Sequence, residues 1–278
     1  MEVVKHNGER EEFSDEKVMR SMLRTGIPKQ EAQLVLERVK TKIHDGITTA
    51  KLYHIVRDEM KDGARACFSC RYSLREAILK LGPAGFKFEK YVASILNAMG
   101  YKAYLPEQEL VGSCVMHEVD IIAEKDGKRH FIEVKFRNEY SDYVDLKNVM
   151  AAWARFLDLC DAEASGKSRE HFDDPWLVTN AQFSDRGEQF GTCKGMHLLG
   201  WKTPRNGKTF MQIVDDKKMY PVTVMHNLSN HELAMLSRAN WMLCSELAEQ
   251  DPEDVSRRVE VSRDRAEHLV EMAGEVVG

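Results

Sequence analysis

Three residues near the middle of the chain have the types and spacing for phosphate chemistry: Asp120, Glu133 and Lys135, in EVDIIAEKDGKRHFIEVKF, residues 118–136. Side chains on a strand alternate between faces, so Glu133 and Lys135 share one face, opposite Ile132, Val134 and Phe136. A hairpin can bring Asp120 alongside that face. Two carboxylates converging on one point repel unless a cation joins them. A hard divalent ion such as Mg2+ is the simplest occupant, because it accepts one or two carboxylates and keeps several waters. Such an ion would supply an acidified water and charge for a phosphate oxygen, and the lysine would orient the attacking water and offset developing negative charge. That chemistry is phosphodiester hydrolysis. The competing reading of the same spacing is a solvent-facing hairpin with ordinary surface charges.

The elements that would position these groups are legible. Asp126-Gly127 between two apolar runs is a strong two-residue hairpin signal and places Asp120 in the first strand and Glu133 in the second. Ahead of the hairpin, FKFEKYVASILNAMGY reads as a helix with Phe88, Val92, Ile95 and Met99 on its core face and Gly100 at its end. After it come a helix, VDLKNVMAAWARFLDLCD, with Trp153 and Phe156 as core, and the apolar stretches WLVTNAQFSDRG and GMHLLGW. Strands and helices alternating at these lengths predict a mixed α/β sandwich. Gly82-Pro83-Ala84-Gly85 marks a domain boundary before it.

Asp120, the short turn and Glu133-x-Lys135 resemble the PD-(D/E)xK nuclease superfamily. Further residues narrow the resemblance to its Mrr-like restriction-endonuclease branch over about residues 83–202: Phe88-Glu89 and Gly100-Tyr101 at the ends of the preceding helix, Val178-Thr179-Asn180, and Phe183-Ser184. The resemblance implies a restriction-endonuclease-like α/β/α sandwich with a mixed sheet. It makes Asp120 and Glu133 metal ligands for Mg2+ or Mn2+, Lys135 the catalytic lysine, and Glu89 an accessory catalytic acid. Two positions depart from the family: Glu133 stands where many members carry Gln, and Val119 where Pro is usual. His117 reads as a hydrogen-bonded strand-end residue rather than a ligand.

Residues 1–82 have a different composition. VVKHNGEREEF suggests two β-type stretches hinged on Asn7-Gly8, and helices follow. One is capped by Ser14, another runs from Pro28 to the Asp45-Gly46 stop, and the next is capped by Thr48 or Thr49. Val3-x-Lys5-x-x-Gly8, Glu11-x-Phe13-x-x-x-Lys17 and Asp45-Gly46-Ile47-x-Thr49 resemble the ATP-cone, the regulatory nucleotide-binding module of ribonucleotide reductases and their transcriptional repressor. That resemblance implies a β-ribbon with a helical bundle that binds ATP or dATP through Val3 and Lys5, with Glu11, Lys17 and Thr49 beside the nucleotide. Two lysines and a helix N-terminus near a glycine hairpin also make an anion site on physical grounds. The NGKT at 206–209 is no phosphate loop, since Lys202 stands where the first glycine belongs.

From residue 205 onward the pattern is one of short helices, with caps at Ser229, Asp251 or Asp254, and Ser262. Its plan resembles a hairpin and helical bundle of helix-hairpin-helix type, without the glycine hairpins that grip a phosphate backbone. The chain as a whole thus reads as an α/β multidomain protein divided at 1–82, 83–204 and 205–278.

Composition bounds the rest. The chain has 278 residues, 43% of them hydrophobic, enough for a sizeable core, and a net charge of −5. Lys and Arg outnumber Asp and Glu only over residues 1–80, 16 to 13, so a DNA partner needs a local basic patch. No apolar run has the length of a membrane span, and six scattered cysteines are not a disulfide framework, which predicts a cytoplasmic protein. Cys67-x-x-Cys70 lacks a second ligand pair and reads as helix cysteines rather than a zinc site. The expected function is a metal-dependent DNA endonuclease regulated allosterically by ATP or dATP. A non-catalytic, nucleotide-sensing DNA-binding regulator is the alternative, and RNA is not separable from DNA as substrate. Double-strand cutting asks for two active sites, hence a homodimer or larger assembly.

Overall fold

A computed structural model describes residues 1–5, 7–63, 66–139 and 142–278. The chain divides into two compact units. Residues 81–219 form a central unit, and residues 1–80 group with residues 220–278 in a second, terminal unit.

The terminal unit opens with a three-stranded sheet. Strand β1 (Glu2–Val4) pairs antiparallel with β2 (Arg10–Glu12) and parallel with β3 (Ile47–Thr48). Gly8 has φ 84°, the left-handed backbone its ribbon turn demands. Helices α1 (Asp15–Leu23), α2 (Lys29–Lys42), α3 (Thr49–Gly63), α4 (Ala66–Tyr72) and α5 (Leu74–Leu79) follow. Ser14 caps α1 by accepting from Lys17 N, and Thr48 accepts from Lys51 N at the start of α3. Val18, Met22, Val35, Leu36, Val39, Val56 and Met60 pack into one buried cluster. Cys67 and Cys70 are buried in α4, and burial pushes the Cys70 thiol up to about 12.

The central unit is built on a five-stranded sheet. Helix α6 (Phe88–Ala98) leads into β4 (Lys102–Tyr104), a small hairpin of β5 (Leu110–Val111) and β6 (Met116–His117), and the long hairpin of β7 (Ile121–Lys125) and β8 (Lys128–Lys135). Then come β9 (Tyr143–Val144), α7 (Leu146–Ala164), β10 (Asp174–Thr179), β11 (Gln182–Phe183), α8 (Asp185–Cys193), β12 (His197–Leu199) and α9 (Phe210–Lys217). Strand order is β12-β10-β8-β7-β4, parallel among β8, β10 and β12 and antiparallel from β8 through β7 to β4. Phe131 packs with Phe156 and Leu159 of α7, and Leu177 with Val149, so α7 and α8 cover one face. Phe88 of α6 lies against Phe136 and against Phe210 of α9, covering the other. A mixed sheet between two helical layers is the predicted architecture.

The remaining chain belongs to the terminal unit: α10 (Asn230–Arg238), α11 (Cys244–Ala248), α12 (Pro252–Val259) and α13 (Arg263–Val277), capped by Ser229, Asp251 and Ser262 at α10, α12 and α13. Arg71 of α4 donates to the Val276 carbonyl, and Thr223 Oγ1 donates to the Ala77 carbonyl at 2.7 Å. Residues 205–219, expected to begin the C-terminal segment, instead supply α9 to the central unit, where Tyr91 donates to the Met219 carbonyl. No β-hairpin precedes the C-terminal helices among the described residues. Also among the described residues, no helix is long and apolar enough to cross a membrane.

Candidate active site at the β7–β8 hairpin

The turn between β7 and β8 sets the register. Asp126 and Gly127 have φ 53° and 78°, the two left-handed residues of a tight primed turn, and Lys125 faces Lys128. Counting back along the ladder, Ile121 faces Ile132. Asp120, the residue just before β7 rather than within it, therefore meets β8 at Glu133 and Val134. Its Oδ2 accepts from Val134 N at 2.7 Å. Burial first, and then the charge of Glu133, push the Asp120 carboxyl up to about 6, against the lowering effect of the Val134 hydrogen bond and Lys135.

Glu133 is only 2% exposed, because the middle of β8 is buried on both faces. Lys135 Nζ donates to its Oε1 at 2.5 Å, and Arg155 Nη1 from α7 donates to its Oε2 at 2.5 Å. Arg155 Nη2 also donates to the Glu118 carbonyl. Lys135 and Arg155 are 31% and 28% exposed at their side chains, so the cations form the wet rim of a site whose acid is dry. Glu89, in the first turn of α6, contributes its charge and is the weakest of the groups that raise Asp120. No hydrogen bond or ion pair joins it to Asp120, Glu133 or Lys135 among the described residues.

The structure thus brings Asp120, Glu133 and Lys135 together and adds Arg155, which sequence reasoning missed. A polar residue between core positions Trp153 and Phe156 was the available clue, since α7 packs on the face that carries Glu133. His117 lies nearby, and its Nε2 pairs with Asp158 Oδ2 at 2.8 Å. Burial works to raise Asp158, but hydrogen bonds with His117, Cys114 and Val115 outweigh it and hold the carboxyl at about 2. That pair ties the β5–β6 hairpin to α7 and lies outside the acid cluster.

Among the described residues, no three His, Cys, Asp or Glu side chains form a closed metal cage. Two carboxylates, one of them held toward its neutral form by burial and then by the charge of the other, still fit a Mg2+-like ion that retains water. The donor set is hard oxygen throughout and would not suit a thiophilic metal.

In the terminal unit, Val3, Glu11, Lys17 and Thr49 line a cavity of about 190 Å3 together with Phe13, Tyr53 and Tyr72. Tyr53 and Tyr72 are stacked with ring centroids 5.2 Å apart. Lys17 Nζ lies 3.0 Å from Glu11 Oε2, which draws Glu11 below the usual carboxylate range. Lys5 does not line the cavity but pairs with the same Glu11 oxygen at 3.3 Å. The described contacts of both lysines are therefore with acids rather than with an open anion site.

A mixed sheet with an acid before one hairpin strand and Glu-x-Lys on the next defines the class: a restriction-endonuclease-like domain. Comparison with known families agrees, matching a restriction endonuclease family of Mrr catalytic type over residues 83–203. Residues 220–277 match the family described as AF1548-like, C-terminal. An uncharacterized protein of Archaeoglobus fulgidus is 32% identical over 167 residues, which cover 60% of this chain and 89% of that protein. The crystal structure of a protein of unknown function, AF1548, superposes with a TM-score of 0.56 at 31% identity, covering 69% of this chain and 97% of the other. The chain belongs to the AF1548-like family. This corrects the expectation of a helix-hairpin-helix segment at the C-terminus, which belongs to a different family. Both family matches lie beyond residue 82, so the ATP-cone resemblance rests on its own motifs.

Proposed function

We propose that this protein is a Mg2+- or Mn2+-dependent endonuclease that hydrolyses DNA phosphodiester bonds at Asp120, Glu133 and Lys135. One observation carries the reading: in a nuclease-like domain, the hairpin register sets Asp120 on the Val134 amide beside buried Glu133, whose Oε1 holds the part-exposed Lys135 Nζ. Burial and the neighbouring charge of Glu133 both raise the Asp120 carboxyl, a perturbation that clusters at functional sites. The bound divalent ion would supply a Lewis acid for the phosphate and an acidified water. Asp120 and Glu133 are its ligands, with Asp120 oriented by the Val134 amide. Lys135 Nζ, fixed by Glu133 and reachable from solvent, orients the attacking water and stabilises charge on the phosphorane. Glu89 serves as the accessory acid at the rim.

The second half of the proposal concerns control. ATP or dATP is sensed, not consumed, by residues 1–82, through Val3, Glu11, Lys17 and Thr49 at the cavity beside Tyr53 and through Lys5, which pairs with Glu11. Lys5 and Lys17 would exchange Glu11 for phosphate, which gives the nucleotide a state to favour. Two active sites in a homodimer or larger closed assembly would allow both strands to be cut.

The test is cleavage of supercoiled plasmid and linear DNA with Mg2+ or Mn2+, with and without ATP and dATP, by the parent chain and Lys135→Ala. Metal-dependent cutting that needs Lys135 and changes rate with nucleotide is the expected result. Cutting retained in Lys135→Ala would remove the assigned site. A rate indifferent to both nucleotides, with no nucleotide bound, would remove the control half.

A further inference from the structure

Arg155 has no part in the chemistry above, yet it holds the central acid. Its two terminal nitrogens divide their work: Nη1 donates to Glu133 Oε2 at 2.5 Å and Nη2 to the Glu118 carbonyl. With Lys135 Nζ on Oε1, each oxygen of Glu133 already faces a cation. A guanidinium does not shed its proton in a protein, so this positive charge is present at every working pH. A divalent ion that took Oε2 as a ligand would lie within a few ångströms of a like charge. A phosphodiester, in contrast, offers the guanidinium paired oxygens in the geometry its fork prefers. The arginine is part-exposed, so its outer edge is within reach of such a ligand.

We propose that Arg155 couples metal binding to DNA binding: without DNA it closes Glu133, and with a phosphodiester present its Nη1 turns from Glu133 Oε2 to a non-bridging phosphate oxygen. The bond from Nη2 to the Glu118 carbonyl is the pivot. Glu133 Oε2 then becomes available to the divalent ion. This inference rests on the metal-dependent nuclease reading and adds to it a reason for the enzyme to stay inert until DNA arrives. Linkage makes the effect reciprocal, so DNA tightens metal binding by the factor with which metal tightens DNA binding.

The experiment measures Mn2+ affinity of the full chain from the EPR signal of free Mn2+, with and without a duplex. A phosphorothioate duplex, which resists hydrolysis, lets the parent chain with Lys135 in place serve as the background. In that background the duplex should tighten Mn2+ at least tenfold. Adding Arg155→Met should tighten Mn2+ in the absence of duplex and shrink the duplex effect below twofold. Arg155→Lys, which keeps a charge but not the fork, should retain weak Mn2+ binding without duplex and show a reduced coupling, and it reads the same quantity if the Met variant folds poorly. Asp120→Asn reports whether the ion is at this site. If Asp120→Asn abolishes Mn2+ binding but both Arg155 variants match their background with and without duplex, the coupling is overturned and the nuclease site stands. If no variant binds Mn2+, or Asp120→Asn leaves it unchanged, both are overturned.

Discussion

Two buried glutamates, one in each unit, are held in nearly the same way and differ in what stands beside them. Glu59 of α3 is 4% exposed, accepts from Arg38 Nε at 2.9 Å on Oε2, and is paired with Lys42 on Oε1. Glu133 is 2% exposed and likewise has Arg155 on one oxygen and Lys135 on the other. Around Glu59 the account closes: one acid meets two cations spaced four residues apart on α2, and the Lys42 hydrogen bond, outweighing burial, draws its pKa below the usual range. Around Glu133 it does not close, because Asp120 lies beside it in the ladder and is pushed up to about 6 by burial and then by the charge of Glu133. A buried, doubly paired glutamate is therefore not by itself the mark of a reactive site. The second acid, held where it would rather be neutral, is what sets Glu133 apart from Glu59.

The largest expected effect separates the two by activity. Lys135→Ala should lower DNA cleavage by roughly 100-fold or more, the usual size for a group that acts on a developing charge. Glu59→Gln should leave the rate within about twofold. Steady-state cleavage assays under matched Mg2+ decide it, and equal losses in the two variants would break the comparison.

The next effect runs the other way, on stability. Glu59→Gln should destabilise the chain by about 1–3 kcal/mol, the range for hydrogen bonds to charged groups. The exposure of Arg38 and Lys42 keeps the figure toward the lower end, since both cations return to water. The folded pKa of Glu59 is depressed, so its contribution is present above the unfolded carboxylate value and is lost as the pH falls through the lower folded value. Urea midpoints at pH 7 and in acid read both predictions.

Asp120 should show the opposite sign. Its folded pKa of about 6 lies above the ordinary value of 3.8, so its ionised form opposes folding. That penalty is complete above pH 6 and disappears as the pH falls toward the unfolded value. Without added metal, Asp120→Asn should be more stable than the parent at pH 7.5 by on the order of 1 kcal/mol, discounted for the exposed part of the side chain. The two should converge near pH 4. A parent that outlasts the Asn variant at pH 7.5 would show that the two acids are not in conflict.

The smallest effect concerns the cavity near Tyr53. ATP or dATP at threefold its dissociation constant should stabilise the chain by about 0.8 kcal/mol, a thermal shift that Lys17→Ala should erase.

Much of the site was legible because its parts are close in sequence. Asp126-Gly127 specifies a turn with two positive φ values, and that turn fixes which residues of β7 and β8 meet. Asp120 and Glu133 are then neighbours by register, whatever packs around them. Helix starts at Ser14, Ser229 and Ser262 were equally local, since each serine needs only the amides of its own first turn. Four of the five nucleotide-site residues predicted from motifs, Val3, Glu11, Lys17 and Thr49, also converge on one cavity. The helical C-terminus was readable as helices, but its family was not, because caps and apolar spacing are common to many bundles.

Local sequence therefore determined the hairpin, its register, the acid–acid–lysine set and most helix boundaries. These depend on backbone dihedrals, side-chain alternation and hydrogen bonds within a few residues. Tertiary structure alone decided that Glu133 would be dry, that Arg155 would reach it from a helix 22 positions further on, and that residues 220–278 would share a core with the N-terminus. Each of those outcomes depends on how a helix docks against a sheet or another helix. Docking is set by the summed shape of many side chains distant in sequence, which no single stretch of the chain encodes.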